Sequence, residues 1–229
     1  VPGDSYAPEV LFVYPPPVAT ATNPIPANSK TVVVFSETID AASIVYATGA
    51  TSSVRLISNN SFVAGNATLF AGNSGRILTV AATGAFPANP IRFDLYSNNA
   101  TSGLTSGPGL KDIAGNRLFP SHPDTQFGGF GAGQAALLFG WTLAAADATG
   151  PTLTLNQPAN GSVGNDVRTP IRVRFSEAID PESIATGFLV NGATVSASAI
   201  TIRIEDLQEF TFTPTSNLTG SVTVNVAGI

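Results

Sequence analysis

The hexapeptide FSETID begins at Phe35, and the chain writes it again from Phe175 as FSEAID. A hexapeptide used twice with five of its six residues identical, and acids at the same two places, means one of two things. The chain folds the same module twice, or it holds two parts of one site. A repeat constrains the fold more than any local propensity, because each copy must then be one supersecondary or domain unit. The flanks repeat as well. DSYAPEVLFVYPPP (4–17) precedes the first copy and DATGPTLTLNQPANG (147–161) the second. Each reads as Asp, three residues, Pro, an alternating apolar strand and a Pro-rich turn.

The following strand is TVVVFS in one copy and PIRVRFS in the other. In the second, Ile171, Val173 and Phe175 alternate with Arg172 and Arg174, so a period of two places three apolar side chains on one face and two arginines on the other. Further strand-sized bursts follow: SVRLI, FVAGNATLF, RILTVAA and PIRFDLY in the first copy, and GFLVNG, ATVSASAITIRI and EFTFTPTSNLTGSVTVNVAGI in the second. Charged residues make up only 11% of the chain while Gly numbers 22 and Pro 17. That leaves no run of helix formers and places turn signals between short β-rich segments. The expected fold class is all-β, with two tandem β-sandwiches, residues 1–146 and 147–229, of about seven strands each.

The copies differ. The first continues through GLKDIAGNRLF and a glycine-rich insertion at about 117–134 into AALLFGWTLA, which reads as a closing strand with the chain's single Trp, Trp141. The second reaches Ile229 where its counterpart of KDIAGN would begin, so its last strand is expected to be missing, and the sequence to be a segment of a longer chain or to take that strand from a neighbour. Val1 is likewise read as the start of a mature or excised segment.

Composition excludes several functions. The net charge is −5, and Lys30 and Lys111 are the only lysines. Nucleic acid, which needs a basic face, and a polybasic membrane anchor are therefore not expected as partners. No apolar run approaches the roughly 18 residues needed to span a bilayer, so no membrane insertion is expected. With no Cys, disulfides, thiol catalysis and Cys-based zinc sites are excluded. Five N-x-S/T sequons, at Asn59, Asn66, Asn99, Asn160 and Asn217, are what an Asn- and Ser-rich composition produces by chance.

Together these motifs resemble the bacterial Ig-like domains found in surface-layer proteins and large adhesins. The matching pieces are Asp4 with Pro8, FSETID and KDIAGN in the first copy, and Asp147 with Pro151, FSEAID and FTPTSNLTGSVTVNV in the second. The first copy has no clear F-T-P and the second no D-x-A-G-N turn. The resemblance implies Ig-like sandwiches and an extracellular, cell-surface setting. It further implies structural work in a surface layer, filament or stalk, with other domains of the same chain and copies of the chain itself as partners. Alternatives are an adhesin module for carbohydrate or protein receptors, or an accessory domain of a secreted hydrolase.

The acids admit two readings. Glu37, Asp40, Asp112, Asn116, Asp147, Glu177 and Asp180 all lie on loops and offer oxygen ligands only, which suits a hard cation such as Ca²⁺. Alternatively, Asp40 and Asp180 cap the helical turns begun by DAASI and DPESI, and KDIAGN is an Asx turn ending on a glycine with positive φ.

No enzyme is expected. A carboxylate pair for glycoside hydrolysis faces itself across one cleft, whereas a repeated hexapeptide puts its acids on two domains. His122 is the only histidine, and no G-x-S-x-G elbow accompanies it. Among the aromatics, Trp141 is expected in the core, while Phe127 and Phe130 in the glycine-rich loop are candidate binding residues.

Overall fold

The structure is a computed structural model and describes residues 3–17, 24–46, 52–59, 61–87, 90–98, 109–119, 135–226 and 229. The chain divides into two compact units, Val1–Leu69 with Leu78–Ala148, and Phe70–Ile77 with Thr149–Ile229. Among the described residues, apart from one short helix and three single turns of 3₁₀ helix, the regular elements are strands. No helix among the described residues is long and apolar enough to cross a membrane.

The first sandwich comprises β1 (Val10–Tyr14), β2 (Pro24–Pro26), β3 (Thr31–Phe35), β4 (Val54–Ser58), β5 (Ser61–Phe62), β6 (Gly65–Phe70), β7 (Ile77–Ala82), β8 (Ile91–Asn98) and β9 (Ala135–Ala144). One sheet has the order β1-β3-β7-β6 and the other β2-β9-β8-β4-β5. The β1–β3, β4–β5, β4–β8 and β8–β9 pairs are antiparallel, and the β2–β9 pair is parallel. Alternation along β8 sets the core. Ile91, Phe93 and Leu95 are fully buried, opposite Trp141, Phe139 and Leu137 of β9. The Phe93 and Phe139 rings stack with centroids 6.3 Å apart. Trp141 is buried as its composition suggests, with its indole N–H donating to the Pro15 carbonyl at 3.2 Å.

The second sandwich comprises β10 (Leu153–Gln157), β11 (Ile171–Phe175), α1 (Pro181–Gly187), β12 (Leu189–Val190), β13 (Ala193–Thr194), β14 (Ile200–Ile202), β15 (Glu209–Phe212) and β16 (Val224–Asn225). Its sheets are β10-β11-β15-β14 and β13-β12-β16. The alternation read in PIRVRFS holds. Ile171, Val173 and Phe175 are buried, and Arg172 and Arg174 lie on the other face against Glu209 and Asp206. Phe188 meets the edge of Phe210 at 4.9 Å, the geometry that the ring quadrupoles favour. Asn191 and Gly192 both have positive φ, 52° and 78°, and join β12 to β13. That is the two-residue Asn-Gly hairpin turn whose twist matches its strands.

The stretch Phe70–Ile77 belongs to this unit. There Asn73 accepts the Ile202 N–H at 2.7 Å and donates to the Ile202 carbonyl at 2.8 Å. A Cβ on Gly72 would lie 2.4 Å from the Ile200 carbonyl oxygen, so only glycine permits the approach.

Candidate functional site

The structure accounts for the duplicated hexapeptide position by position. Phe35 and Phe175 are core residues, and so are Ile39 and Ile179. The serine ties the entering strand to the sheet in both copies. Ser36 Oγ accepts the Glu9 N–H at 2.9 Å, and Ser176 Oγ accepts the Thr152 N–H at 3.0 Å. The closing acid is a cap. Asp40 Oδ1 accepts the Ala42 N–H at 3.0 Å at the head of a 3₁₀ turn. Asp180 Oδ1 accepts the Glu182 N–H at 3.0 Å at the head of α1, with Pro181 in the first turn. Even the following serine repeats, since Ser43 and Ser183 each donate to the aspartate carbonyl at 2.7 Å.

Glu37 is the position this scheme leaves over in the first copy. Its carboxylate lies with those of Asp4 and Asp112, each offering an oxygen within 4.8 Å of the others. Three segments build this cluster: the entry to β1, the turn after β3, and the KDIAGN loop. The loop is held against the hexapeptide by the Asp40 N–H, which donates to the Lys111 carbonyl at 2.9 Å, and by the Ile39–Asp112 bridge. Within the loop, Gly115 has a φ of 95°, and Asp112 accepts the Asn116 backbone N–H and side-chain amide, both at 2.8 Å. The Asn116 amide also donates to the Asp4 carbonyl at 3.2 Å. Asn116 therefore orients two members of the cluster.

Electrostatics separates the members. Burial, then the charges of Asp112 and Asp4, then a hydrogen bond with Asp112 push the Glu37 carboxyl above its ordinary range. Burial acts in the same direction on Asp112, but donors from Asn116, Gly115 and Ala114 outweigh it and hold that carboxyl below its ordinary range. The cluster thus combines a well-stabilised carboxylate with one that is held at a cost. A hard cation would relieve that cost, and the three carboxylates that meet here are oxygen donors of the kind such an ion takes.

The remaining sequence candidates are placed elsewhere. Asp40 faces Lys111 at 3.5 Å, an exposed pair worth little. Asp147 is exposed, and its backbone N–H and carbonyl pair with the Asn28 side chain at 2.9 and 2.8 Å. Glu177 is half-buried, and neither it nor Asp180 joins a group of three acidic, histidine or cysteine ligands among the described residues. Phe127, Phe130 and His122 lie outside the described residues.

Two charge networks and one member of the acidic cluster were not anticipated from sequence. Asp94 is fully buried on β8, where burial raises its carboxyl above the ordinary range against the pull of Arg92 at 2.7 Å. Burial and that carboxylate push the neighbouring Tyr96 hydroxyl up to about 12. In the second unit Glu209 takes a two-pronged contact from Arg172, at 2.5 and 2.9 Å, and Arg203 grips Asp206. Asp4 was legible as part of the entry motif but not as a neighbour of Glu37 and Asp112. Its signal is that D-x₃-P, FSE and KDIAGN occur together only in the first copy.

Residues 147–227 match the sequence profile of the family described as a bacterial Ig-like domain. Comparison with curated proteins gives no significant match. Among solved structures, the N-terminal part of the bacterial S-layer protein SbsC is similar over 96% of this chain and 44% of its own, with 13% identity and a TM-score of 0.34. The S-layer protein rSbsC(31-844) is similar over 96% of this chain and 25% of its own, with 13% identity and a TM-score of 0.37. The chain spans less than half the length of either.

Proposed function

We propose that the chain is a non-enzymatic structural module of an exported bacterial surface protein, a reading supported by the match of residues 147–227 to the bacterial Ig-like domain family. It works by domain–domain and chain–chain contact in a layer, filament or stalk at the cell surface. The observation that carries this reading is the hexapeptide itself. Phe, Ser, Ile and Asp of both copies are spent on core, strand tie, core and cap, so the repeat multiplies a fold element rather than a reactive group. The finer part of the proposal is a calcium ion at Asp4, Glu37 and Asp112, supported by their mutual approach within 4.8 Å.

Sedimentation velocity of the chain over about a hundredfold range of concentration, with electron microscopy of the concentrated sample, tests the module reading, because association follows mass action. The expected result is growth into larger species with concentration. A strictly monomeric chain throughout the range would overturn it.

A further inference from the structure

Among the described residues β14 ends its sheet and pairs only with β15. An edge strand turns alternate backbone groups outward, where another chain can pair with them. The register shows which groups those are. The Arg203 N–H donates to the Glu209 carbonyl at 2.8 Å, and the Thr213 N–H to the Ala199 carbonyl at 2.9 Å. In an antiparallel ladder residues 199, 201 and 203 therefore face β15, while Ile200 and Ile202 turn their N–H and C=O to the outer edge.

This edge is closed group by group. Asn73 accepts the Ile202 N–H at 2.7 Å and donates to the Ile202 carbonyl at 2.8 Å. Those are the two bonds that an opposite strand residue would exchange. The Ile200 N–H is taken by the Ala197 carbonyl at the end of a 3₁₀ turn. The Ile200 carbonyl lies against Gly72, where a Cβ would meet both the Ile200 and the Ala197 carbonyl oxygens. The turn that presents Asn73 is strained. Asn73, Ser74 and Gly75 have φ of 49°, 57° and 67°. Gly takes the left-handed conformation freely and Asn tolerates it, but Ser does not, and L-residues seldom adopt it in succession. Such strain persists where the surrounding contacts over-determine it, and here those contacts are with β14.

We propose that the turn Gly72–Gly75 guards the edge of β14: it takes the place of a strand there and prevents a second copy of the chain from pairing along that edge. Two copies of one edge are self-complementary about a two-fold axis, with Ile200 of each opposite Ile202 of the other. The segment leading into this edge invites such pairing. VSASAITI, residues 195–202, has no charge, no Pro and no Gly, the composition of strands that stack on their own copies. The guard restricts which surface can associate, so it stands whether or not the chain is an assembling module.

The test compares the whole chain with Asn73→Ala, which removes both bonds to Ile202, and Gly72→Ala, whose methyl displaces the turn from Ile200. Each is read by sedimentation velocity over about a hundredfold range of concentration and by amide hydrogen exchange at Ile202. In the unaltered chain Ile202 exchange should be slow and the same at every concentration. In dilute solutions of either variant it should be at least about tenfold faster. On concentration it should slow again, as species larger than those of the unaltered chain form. Thr201→Lys added to Asn73→Ala should suppress those species, because charge on an edge strand opposes pairing. Val173→Ala, which loosens the core of the same unit away from this edge, should associate no more than the unaltered chain. Melts report whether the variants fold, and Asn73→Ala, which loses only two side-chain bonds, carries the test if Gly72→Ala does not. Ile202 exchange that neither substitution alters, or that is faster but independent of concentration, overturns the guard. So does Ile202 exchange that slows with concentration in the unaltered chain. Equal association by Val173→Ala overturns it as well, by assigning the new species to lost stability.

Discussion

Replacing Glu37 by Gln should stabilise the protein in the absence of divalent cations and abolish its response to calcium. The Glu37 carboxyl is raised by burial and by the charges of Asp112 and Asp4. A carboxyl raised in the folded state contributes stability that is full below its unfolded value and is lost as pH rises through the folded value. At neutral pH the charged Glu37 therefore opposes folding. With oxygens within 4.8 Å and a half-exposed side chain screened by water, Coulomb's law gives about 1 kcal/mol of repulsion per neighbour, less with salt. Glutamine keeps the shape and removes the charge, so a gain of about 1–2 kcal/mol is expected in EDTA at pH 7. Each kcal/mol corresponds to roughly 3–4 °C in melting temperature for a unit of this size. Near pH 4 the gain should shrink, because Glu37 is then largely protonated. Calcium should reverse the order, since an ion at a hundred times its Kd stabilises the unaltered chain by about 2.7 kcal/mol and finds one ligand fewer in the variant. Thermal melts of both proteins in EDTA and in calcium, at pH 7 and pH 4, read all of this. A variant less stable than the parent in EDTA at pH 7, or calcium shifts equal in the two proteins, would refute the reasoning.

Other expectations concern the second unit. Arg172 holds the Glu209 carboxyl below its ordinary range, so Glu209 contributes stability above the usual carboxylate range and loses it as pH falls through the lowered value. Arg172→Gln should therefore move the midpoint of acid unfolding to higher pH, by far-UV circular dichroism. Phe210→Ala removes a ring packed against Phe175 and Phe188 and should cost about 3–5 kcal/mol in urea unfolding. Asn73→Ala deprives the Ile202 backbone of both its side-chain bonds and should cost about 1–3 kcal/mol. Faster hydrogen exchange at Ile202 would report the same loss locally.

Much of the β-architecture was legible because the repeat aligns strands whose individual signals are weak. PIRVRFS declared both its period and its faces, and β9 announced itself through AALLFGWTLA. Other features were not legible for physical reasons. β12, β13 and β16 have two residues each, too few to display a period. β3 is buried along its whole length, so TVVVF shows no alternation. The contact of Gly72 and Asn73 with β14 joins residues far apart in sequence, and nothing local encodes it. At the candidate cation site, the two acids of the hexapeptide look equivalent in sequence. Their roles separate only in three dimensions, where Asp40 turns to its own helical turn and Glu37 faces two other loops.

The most direct measurement is a parallel scan of FSETID and FSEAID, one conservative truncation per position, each read by urea unfolding. If the hexapeptide is a repeated fold element, the costs should fall in the same order in both copies: largest for Phe35 and Phe175, then Ile39 and Ile179, and about 1 kcal/mol for the serines and capping aspartates. Glu37 should be the single position whose removal stabilises. Truncations at the serines and aspartates that leave both transitions unmoved, or an order that differs between the copies, would contradict the reading of the hexapeptide as structure.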